Sequence, residues 1–207
     1  TITYGGSCSS STTSATTDNN TITLVSLSDD TYSDCTITVT DNASNGVTLN
    51  ISSFVVDTTA PTVSSVSSST DNDSYKINGN ITVTVTFNEN VIVDNSSGNP
   101  RIQLETGTND RYANYVSGNS TSILSFLYTV QSGDNTTDLD YTSTSSLSAN
   151  NGTIQDNATN NANLTLLAPG SSGSLGANKD IVVDTTAPTV SSISTTADNQ
   201  SSVSITD

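Results

Sequence analysis

The chain has 207 residues, 20 of them acidic and four basic, so its formal net charge at pH 7 is −16. This charge excludes proteins that grip the phosphate backbone of a nucleic acid, because such proteins need a basic surface. The chain has no run of about 20 apolar residues, which argues against direct insertion into a membrane. It also lacks His, the commonest general base and the commonest zinc ligand.

The first 57 residues are predicted to contain about four or five short strands. Residues 36–40 alternate Thr with Ile37 and Val39, and a period of two places both apolar side chains on one face of a sheet. Further strands are expected near residues 2–4, 21–27 and 47–56. Because this is two strands short of a seven-stranded sandwich, we expect residues 1–57 to form a domain without its first strands.

Cys8 and Cys35 lie 27 residues apart and are the two cysteines of the chain. A disulfide between them would pin two strands of a small domain with a thin core. The alternative is a pair of free, buried thiols. A structural zinc site is disfavoured because His is absent.

Residues 58–185 are predicted to form a complete sandwich. Alternating apolar residues run along residues 81–87 and again along residues 124–130, and clusters of Gly, Asn, Asp and Ser separate these strands. No stretch has a convincing helical period, so the sequence predicts an all-β protein.

An eleven-residue segment occurs twice without change. Val55-Val56-Asp57-Thr58-Thr59-Ala60-Pro61-Thr62-Val63-Ser64-Ser65 recurs 127 residues later, at residues 182–192. Since Pro cannot donate a ladder hydrogen bond, each copy is predicted to be a strand, a hinge and a further strand. Residues 186–207 would then supply two strands, 189–194 and 202–206, that complete residues 1–57 of a neighbouring unit.

A shorter echo precedes each hinge. Asp41-Asn42-Ala43-Ser44-Asn45 corresponds to Asp156-Asn157-Ala158-Thr159-Asn160. Each copy follows one predicted strand and precedes another, so the sequence predicts the same interstrand loop in both domains.

These motifs resemble the tandem bacterial Ig-like repeats of giant surface adhesins and extracellular filament proteins. The resemblance is carried by the two hinges, the two loops, and Thr86-Phe87-Asn88-Glu89, Leu104-Glu105-Thr106-Gly107 and Ser174-Leu175-Gly176-Ala177-Asn178. It implies tandem Ig-like β-sandwiches in an extended array at the cell surface. It also implies corner tyrosines at Tyr32 and Tyr141, whose hydroxyls bond to the backbone.

Three carboxylates are expected to converge on the first hinge. In a sandwich, the loops that carry Glu89 and Asp156 would both point back toward Asp57, and such a set of hard oxygen ligands suits Ca²⁺. By the same argument Asp184 and Asp207 should meet Asp41 of a neighbouring unit in a second calcium site. The alternative is a solvated acidic surface; the pair Asp138 and Asp140 is a weaker candidate site.

The sequence therefore predicts a structural repeat unit of an extracellular filament or adhesin stalk. Identical units would join head-to-tail through hinges stiffened by calcium. The alternative is an adhesin module that binds a glycan or a cell surface. An enzyme is disfavoured because the chain has no His, and its two Glu, Glu89 and Glu105, lie in no apolar pocket motif.

Overall fold

The structure, a computed structural model, describes residues 1–194. Within that range it contains sixteen strands and one helical turn, so the predicted all-β class is confirmed. The predicted strand 202–206 and the predicted ligand Asp207 lie outside the described residues. The helical content of residues 1–194 is a single four-residue turn, which is too short to span a bilayer.

Residues 1–56 form two small antiparallel sheets. One sheet has the strand order β1 (Ile2–Gly5), β3 (Thr36–Thr40) and β4 (Gly46–Asn50), and the other pairs β2 (Asp30–Tyr32) with β5 (Phe54–Val56). β4 lies at the edge of its sheet and is exposed along its whole length.

The predicted disulfide is confirmed. Cys8 and Cys35 are bonded, with their Cα atoms 5.2 Å apart. Both are buried in a small cluster with Tyr32, against which partly buried residues such as Leu27 and Phe54 pack. The tyrosine ring stacks on Phe54 with 5.4 Å between ring centroids.

Two strand predictions in this region are wrong. Residues 21–27 form no strand, although the amide of Val25 donates to the carbonyl of Ser9. The predicted strand 47–56 is divided into β4 and β5, which belong to different sheets. The amide of Ile51 still bonds across to Cys35, and the chain then leaves that sheet and pairs with β2, a strand the sequence pattern does not predict.

Residues 62–184 carry the remaining elements, most of which belong to one large antiparallel sheet. They are β6 (Val63–Ser68), β7 (Ser74–Tyr75), β8 (Asn80–Asp94), β9 (Arg101–Glu105), β10 (Arg111–Ser117), β11 (Thr121–Thr129), β12 (Asn135–Thr136), β13 (Asp140–Tyr141), β14 (Leu147–Ser148), β15 (Thr153–Gln155), α1 (Leu175–Asn178) and β16 (Val182–Asp184).

The large sheet has eight strands, with β13-β9-β10-β11-β8-β15 as its main path. β6 pairs with β8, and β14 pairs with β9. A second, three-stranded sheet places β16 between β12 and β7 and pairs it in parallel with β7. The sheets are compatible with a β-sandwich.

The long strand β8 changes partners midway. Its first half pairs with β6 and β11, and its last residues pair with β15. Between Thr121 and Ile123 of β11 the partner on β8 jumps from Val91 to Thr86. The irregularity spans residues 87–90, and it is where Glu89 lies.

Apart from Ile2, the buried apolar residues of the described part divide into two clusters. One uses residues 8–56 and the other residues 63–183. The alternating residues Ile81, Val83, Val85 and Phe87 all belong to the second cluster, as the sequence pattern predicts. The predicted domain boundary at residue 57 lies between the clusters, and independent folding of the two parts stays a prediction.

Both corner tyrosines bond to backbone carbonyls. The Tyr32 hydroxyl donates to the carbonyl of Ser28, four residues upstream, at 2.9 Å. The Tyr141 hydroxyl donates to Leu167 at 2.8 Å, which lies downstream in the chain. The Tyr75 hydroxyl likewise donates to the carbonyl of Asp71, four residues upstream. No sequence pattern predicts this third tyrosine bond.

The segment after β16 forms no strand up to residue 194, although residues 189–194 are predicted to be one. No strand of the described residues pairs with this segment, so it makes no ladder hydrogen bonds with them. Its apolar side chains Val190 and Ile193 are exposed.

Loss of the disulfide should destabilise the first part of the chain alone. In the chain-entropy model a bridge that closes a loop of this length contributes about 3.5 kcal/mol. We expect reductant, or the double variant C8S/C35S, to lower the melting transition of residues 1–56 in calorimetry and to leave the other transition unchanged. Equal effects on both transitions would contradict two separate cores.

Candidate metal centre

Asp57, Glu89 and Asp156 come together at the junction between the two apolar clusters. One carboxylate oxygen of each lies within 4.8 Å of the others. The sequence predicts this convergence, and the structure brings the three residues together from three separate segments. Two oxygens on opposite sides of one Ca²⁺ ion are about 4.6–5.2 Å apart, because each is about 2.3–2.6 Å from the ion.

Asp57 directly follows β5 and begins the hinge. Its Oδ1 accepts the amide of Thr59 at 3.0 Å, a local turn that holds the carboxylate in place. The hinge is tied to the first part of the chain through Asp29. The Thr58 and Thr59 hydroxyls donate to its two carboxylate oxygens at 2.8 and 2.7 Å.

Asp156 opens the predicted interstrand loop after β15 and is only 2% exposed. Its two carboxylate oxygens accept the backbone amide and the side-chain amide of Asn160, at 2.8 and 2.7 Å. The same side-chain amide also donates to the backbone carbonyl of Asp57 at 3.0 Å. Asn160 therefore fixes Asp156 and the hinge with respect to each other.

Glu89 approaches from the irregular segment of β8. The sequence places it in a loop between strands, whereas it lies inside a long strand whose register breaks at this point. The neighbouring Asn88 holds this segment against the hinge. Its side-chain oxygen accepts the amide of Thr62 at 2.7 Å, and its own amide donates to the Thr62 carbonyl at 3.0 Å.

The cluster is electrostatically unfavourable by itself. Burial raises the pKa of Glu89, and the charges of Asp57 and Asp156 raise this pKa further. Like charges held this close disfavour one another's ionised form. A divalent cation would reverse the effect, because it favours all three carboxylates in the ionised state.

The predicted equivalence of the two loops extends to their hydrogen bonds. The Asp41 carboxylate accepts the backbone and side-chain amides of Asn45 at 2.9 and 3.0 Å. Ser44 and Thr159, at the same place in each loop, both have positive φ, 66° and 72°. Bonding to Asn45 lowers the pKa of Asp41.

The other predicted ligands do not join an acidic cluster in the described part of the chain. Asp41 lies in the first loop, and Asp184 ends β16 with its Oδ1 accepting the amide of Thr186 at 2.8 Å. Within residues 1–194 the one group of three metal-ligating side chains is Asp57, Glu89 and Asp156. The prediction for these two residues concerns a neighbouring unit and is not tested in a single chain.

The weaker candidate pair lies elsewhere. Carboxylate oxygens of Asp138 and Asp140 lie 3.2 and 3.1 Å from the place where a Cβ on Gly176 would stand. Burial raises the pKa of Asp138, with further contributions from Asp180 and Asp140. The Asp140 carboxylate accepts the amides of Tyr141 and Gly170, so it already serves a structural role.

Sequence reasoning missed the residues that hold the ligands. Asn88 and Asn160 lie inside the repeated or family-like motifs, but the sequence assigns them no role of their own. The pattern that could have identified Asn160 is its recurrence as Asn45. No sequence pattern identified Asp29 as the hinge's anchor, because its partners are about 30 residues away in the chain.

Comparison with known proteins identifies no relative. No family model, no curated protein and no solved structure matches the chain.

Replacing Glu89 should stabilise the protein when divalent cations are absent. A raised pKa means that the ionised carboxylate is less favourable in the folded state, so this cost is present above the folded pKa and disappears as pH falls below the unfolded pKa. In chelator at pH 7 we expect E89Q to raise the melting temperature by about 1–3 °C.

The matched control is E105Q, because Glu105 is the other Glu of the chain and is exposed. It should leave the melting temperature unchanged. The gain from E89Q should shrink as the pH is lowered. A gain that is the same at pH 3 and pH 7 would contradict repulsion within the cluster.

Proposed function

We propose that this protein is a structural repeat module of an extracellular filament or adhesin stalk, and that Ca²⁺ stiffens the junctions between its domains. Its task is to set length and stiffness. The observation that carries the proposal is the junction at residues 57–62, where a short hinge is bonded on both sides and three carboxylates converge.

The hydrogen bonds of the hinge support a mechanical role. Asp29 binds the hinge from the first part of the chain. From the second part, Asn160 donates to the carbonyl of Asp57 and the amide of Asn163 donates to the carbonyl of Pro61 at 2.8 Å. A short linker with both ends bonded has fewer accessible conformations than a free one.

The carboxylates explain how stiffness would be controlled. Without a cation, their repulsion opposes the closed junction. With Ca²⁺ bound, each becomes a ligand, and backbone carbonyls, amides or water complete the six to eight oxygens that the ion takes. Release of the ion would loosen the junction without unfolding either core.

The disulfide and the net charge of the chain support an extracellular setting. The Cys8–Cys35 disulfide is typical of an oxidising compartment. A net charge of −16 promotes solubility and opposes nonspecific association between fibres. Extracellular calcium is the cation that this proposal requires.

An adhesin module that binds a glycan or a cell surface is the alternative left by the sequence. Such a site needs an exposed aromatic platform. Tyr112 is exposed, but the guanidinium of Arg101 already lies 4.0 Å above the centre of its ring. No specific observation in the described residues favours this alternative over the structural role.

The proposal predicts that the junction binds Ca²⁺. Isothermal titration at pH 7 should give saturable binding, and E89Q should weaken it by about tenfold or more, since affinity depends on the number of charged ligands. At a Ca²⁺ concentration 100 times the dissociation constant, the ion should stabilise the folded chain by about 2.7 kcal/mol.

E105Q is again the matched control and should bind Ca²⁺ as the parent chain does. Small-angle X-ray scattering should then report a narrower range of domain arrangements with Ca²⁺ than with chelator. Absence of binding at millimolar Ca²⁺, or binding that E89Q leaves unchanged, would refute the proposal.

A further inference from the structure

The repeated segment occupies two opposite environments in one chain. In the first copy Val66 is fully buried and Val63 packs against the large core. In the second copy the corresponding Val190 and Ile193 are 80% and 68% exposed. In the described part of the chain, the first copy is therefore followed by residues that pack against a core, whereas Val190 and Ile193 of the second copy stay exposed.

The second hinge is nevertheless held by the domain that precedes it. The Asn135 side-chain oxygen accepts the amide of Thr185 at 3.0 Å and the hydroxyl of Thr186 at 3.1 Å. This is the counterpart of the anchoring of Thr58 and Thr59 by Asp29. Within residues 1–194, no residue makes to this hinge the contacts that Asn160 and Asn163 make to the first hinge.

A surface of the right kind lies on the first sheet. Val47 and Leu49 of β4 are 75% and 66% exposed, and Val39 of β3 is exposed beside them. In the equivalent loop and strands 115 residues later, the corresponding residues are Ile154, Ala162 and Leu164, and all three pack in the large core. The first sheet thus leaves exposed an apolar face whose counterpart in the second domain is covered.

The free edge of β4 has the register that docking needs. The amide of Asp41 donates to Asn45, and the amide of Ile51 donates to Cys35. In an antiparallel pair such bonded positions alternate with outward-facing ones. The backbone groups of Gly46, Thr48 and Asn50 therefore point away from β3, toward the open edge.

The first junction supplies the template. There, Asn160 binds the carbonyl of Asp57, Asn163 binds the carbonyl of Pro61, and Thr62 lies opposite Asn163 in a parallel bridge. Asn163 corresponds to Thr48, which is one of the outward-facing residues of β4. The spacing from loop Asn to edge residue is three in both cases, and from hinge Asp to Pro it is four.

We propose that the loop Asp41–Asn45 and the edge of β4 in one copy of this chain bind the second hinge of another copy. The Asn45 side chain donates to the carbonyl of Asp184, and the amide of Thr48 donates to the carbonyl of Pro188. This places Thr189 opposite Thr48. Val190 then lies on the apolar side of the sheet, with Val47 and Leu49.

This contact rests on the proposed function and specifies the two surfaces through which successive modules join. It brings the Asp184 and Asp41 carboxylates together, as Asp57 and Asp156 meet at the first junction. Because two different surfaces meet, the contact is heterologous and repeats without closing unless the rotation forms a ring.

The competing arrangement is symmetric pairing of two β4 edges. An exposed, unpaired edge can pair with its own copy. That arrangement would place Thr48 near its counterpart and leave the second hinge free, so it is distinguishable from docking.

Disulfide trapping between two full-length variants tests the register. T48C and T189C chains are mixed, oxidised and separated on a non-reducing gel. In the proposed contact the two Cα atoms face each other at a distance a disulfide can span, so the mixed dimer should exceed that of T48C with V190C by about tenfold, because adjacent side chains on a strand point to opposite faces.

Two further variants probe the loop. N45A should reduce the trapped dimer because it removes the bond to the hinge. N42A, a neighbouring exposed position in the same loop, should not. Circular dichroism melts of the single variants check that each one folds.

Three results would overturn the contact: no mixed dimer together with a monomeric protein in sedimentation, equal trapping with V190C, or a T48C homodimer that exceeds the mixed one. The outcome is separable from the proposed function. Trapping without calcium binding at Glu89 contradicts the function alone, and calcium-dependent stiffening without trapping contradicts the docking alone.

Discussion

Three like charges are held within 4.8 Å of one another at the hinge that follows the first part of the chain. Their repulsion is the constraint on which the junction depends, because a closed hinge must either bind a cation or tolerate the cost. Burial raises the pKa of Glu89, and the charges of Asp57 and Asp156 add to this shift. The surrounding contacts, from Asp29 on one side and Asn160 on the other, hold the chain in the position where the charges meet.

The chain uses the same five-residue loop twice, at residues 41–45 and 156–160, and each copy orients an Asp and an Asn side chain. In each copy an Asp carboxylate accepts two amides of the Asn four residues later, and the fourth residue of the loop has positive φ. This local geometry needs no partner, since the Asp41 loop forms it without a hinge nearby. A partner then finds the remaining side-chain donor already oriented, which reduces the entropy lost on docking.

Local patterns predicted much of the fold. Alternation along β8 and β11 correctly identified strands whose apolar residues are buried, and the two cysteines correctly indicated a disulfide. Prediction failed where distant pairing decides the structure. β2 is a strand because Phe54–Val56 pairs with it, and residues 21–27 have strand-like alternation but gain no such partner.

The convergence of Asp57, Glu89 and Asp156 was predictable because two loops of a sandwich point at the preceding hinge. The means of convergence was not. Glu89 is carried by a register break in a strand that continues on both sides, and single residues give no sign of a break that depends on two partner strands. Asp29 also escaped prediction, since its role arises only when the hinge folds back onto it.

We propose that a divalent cation joins the three carboxylates at this junction. Crystals of the chain grown with Ca²⁺ and measured for anomalous scattering test it directly. We expect an anomalous peak that lies about 2.3–2.6 Å from oxygens of Asp57, Glu89 and Asp156. An ordered junction with no peak among these residues, or with Glu89 turned away into solvent, would contradict it.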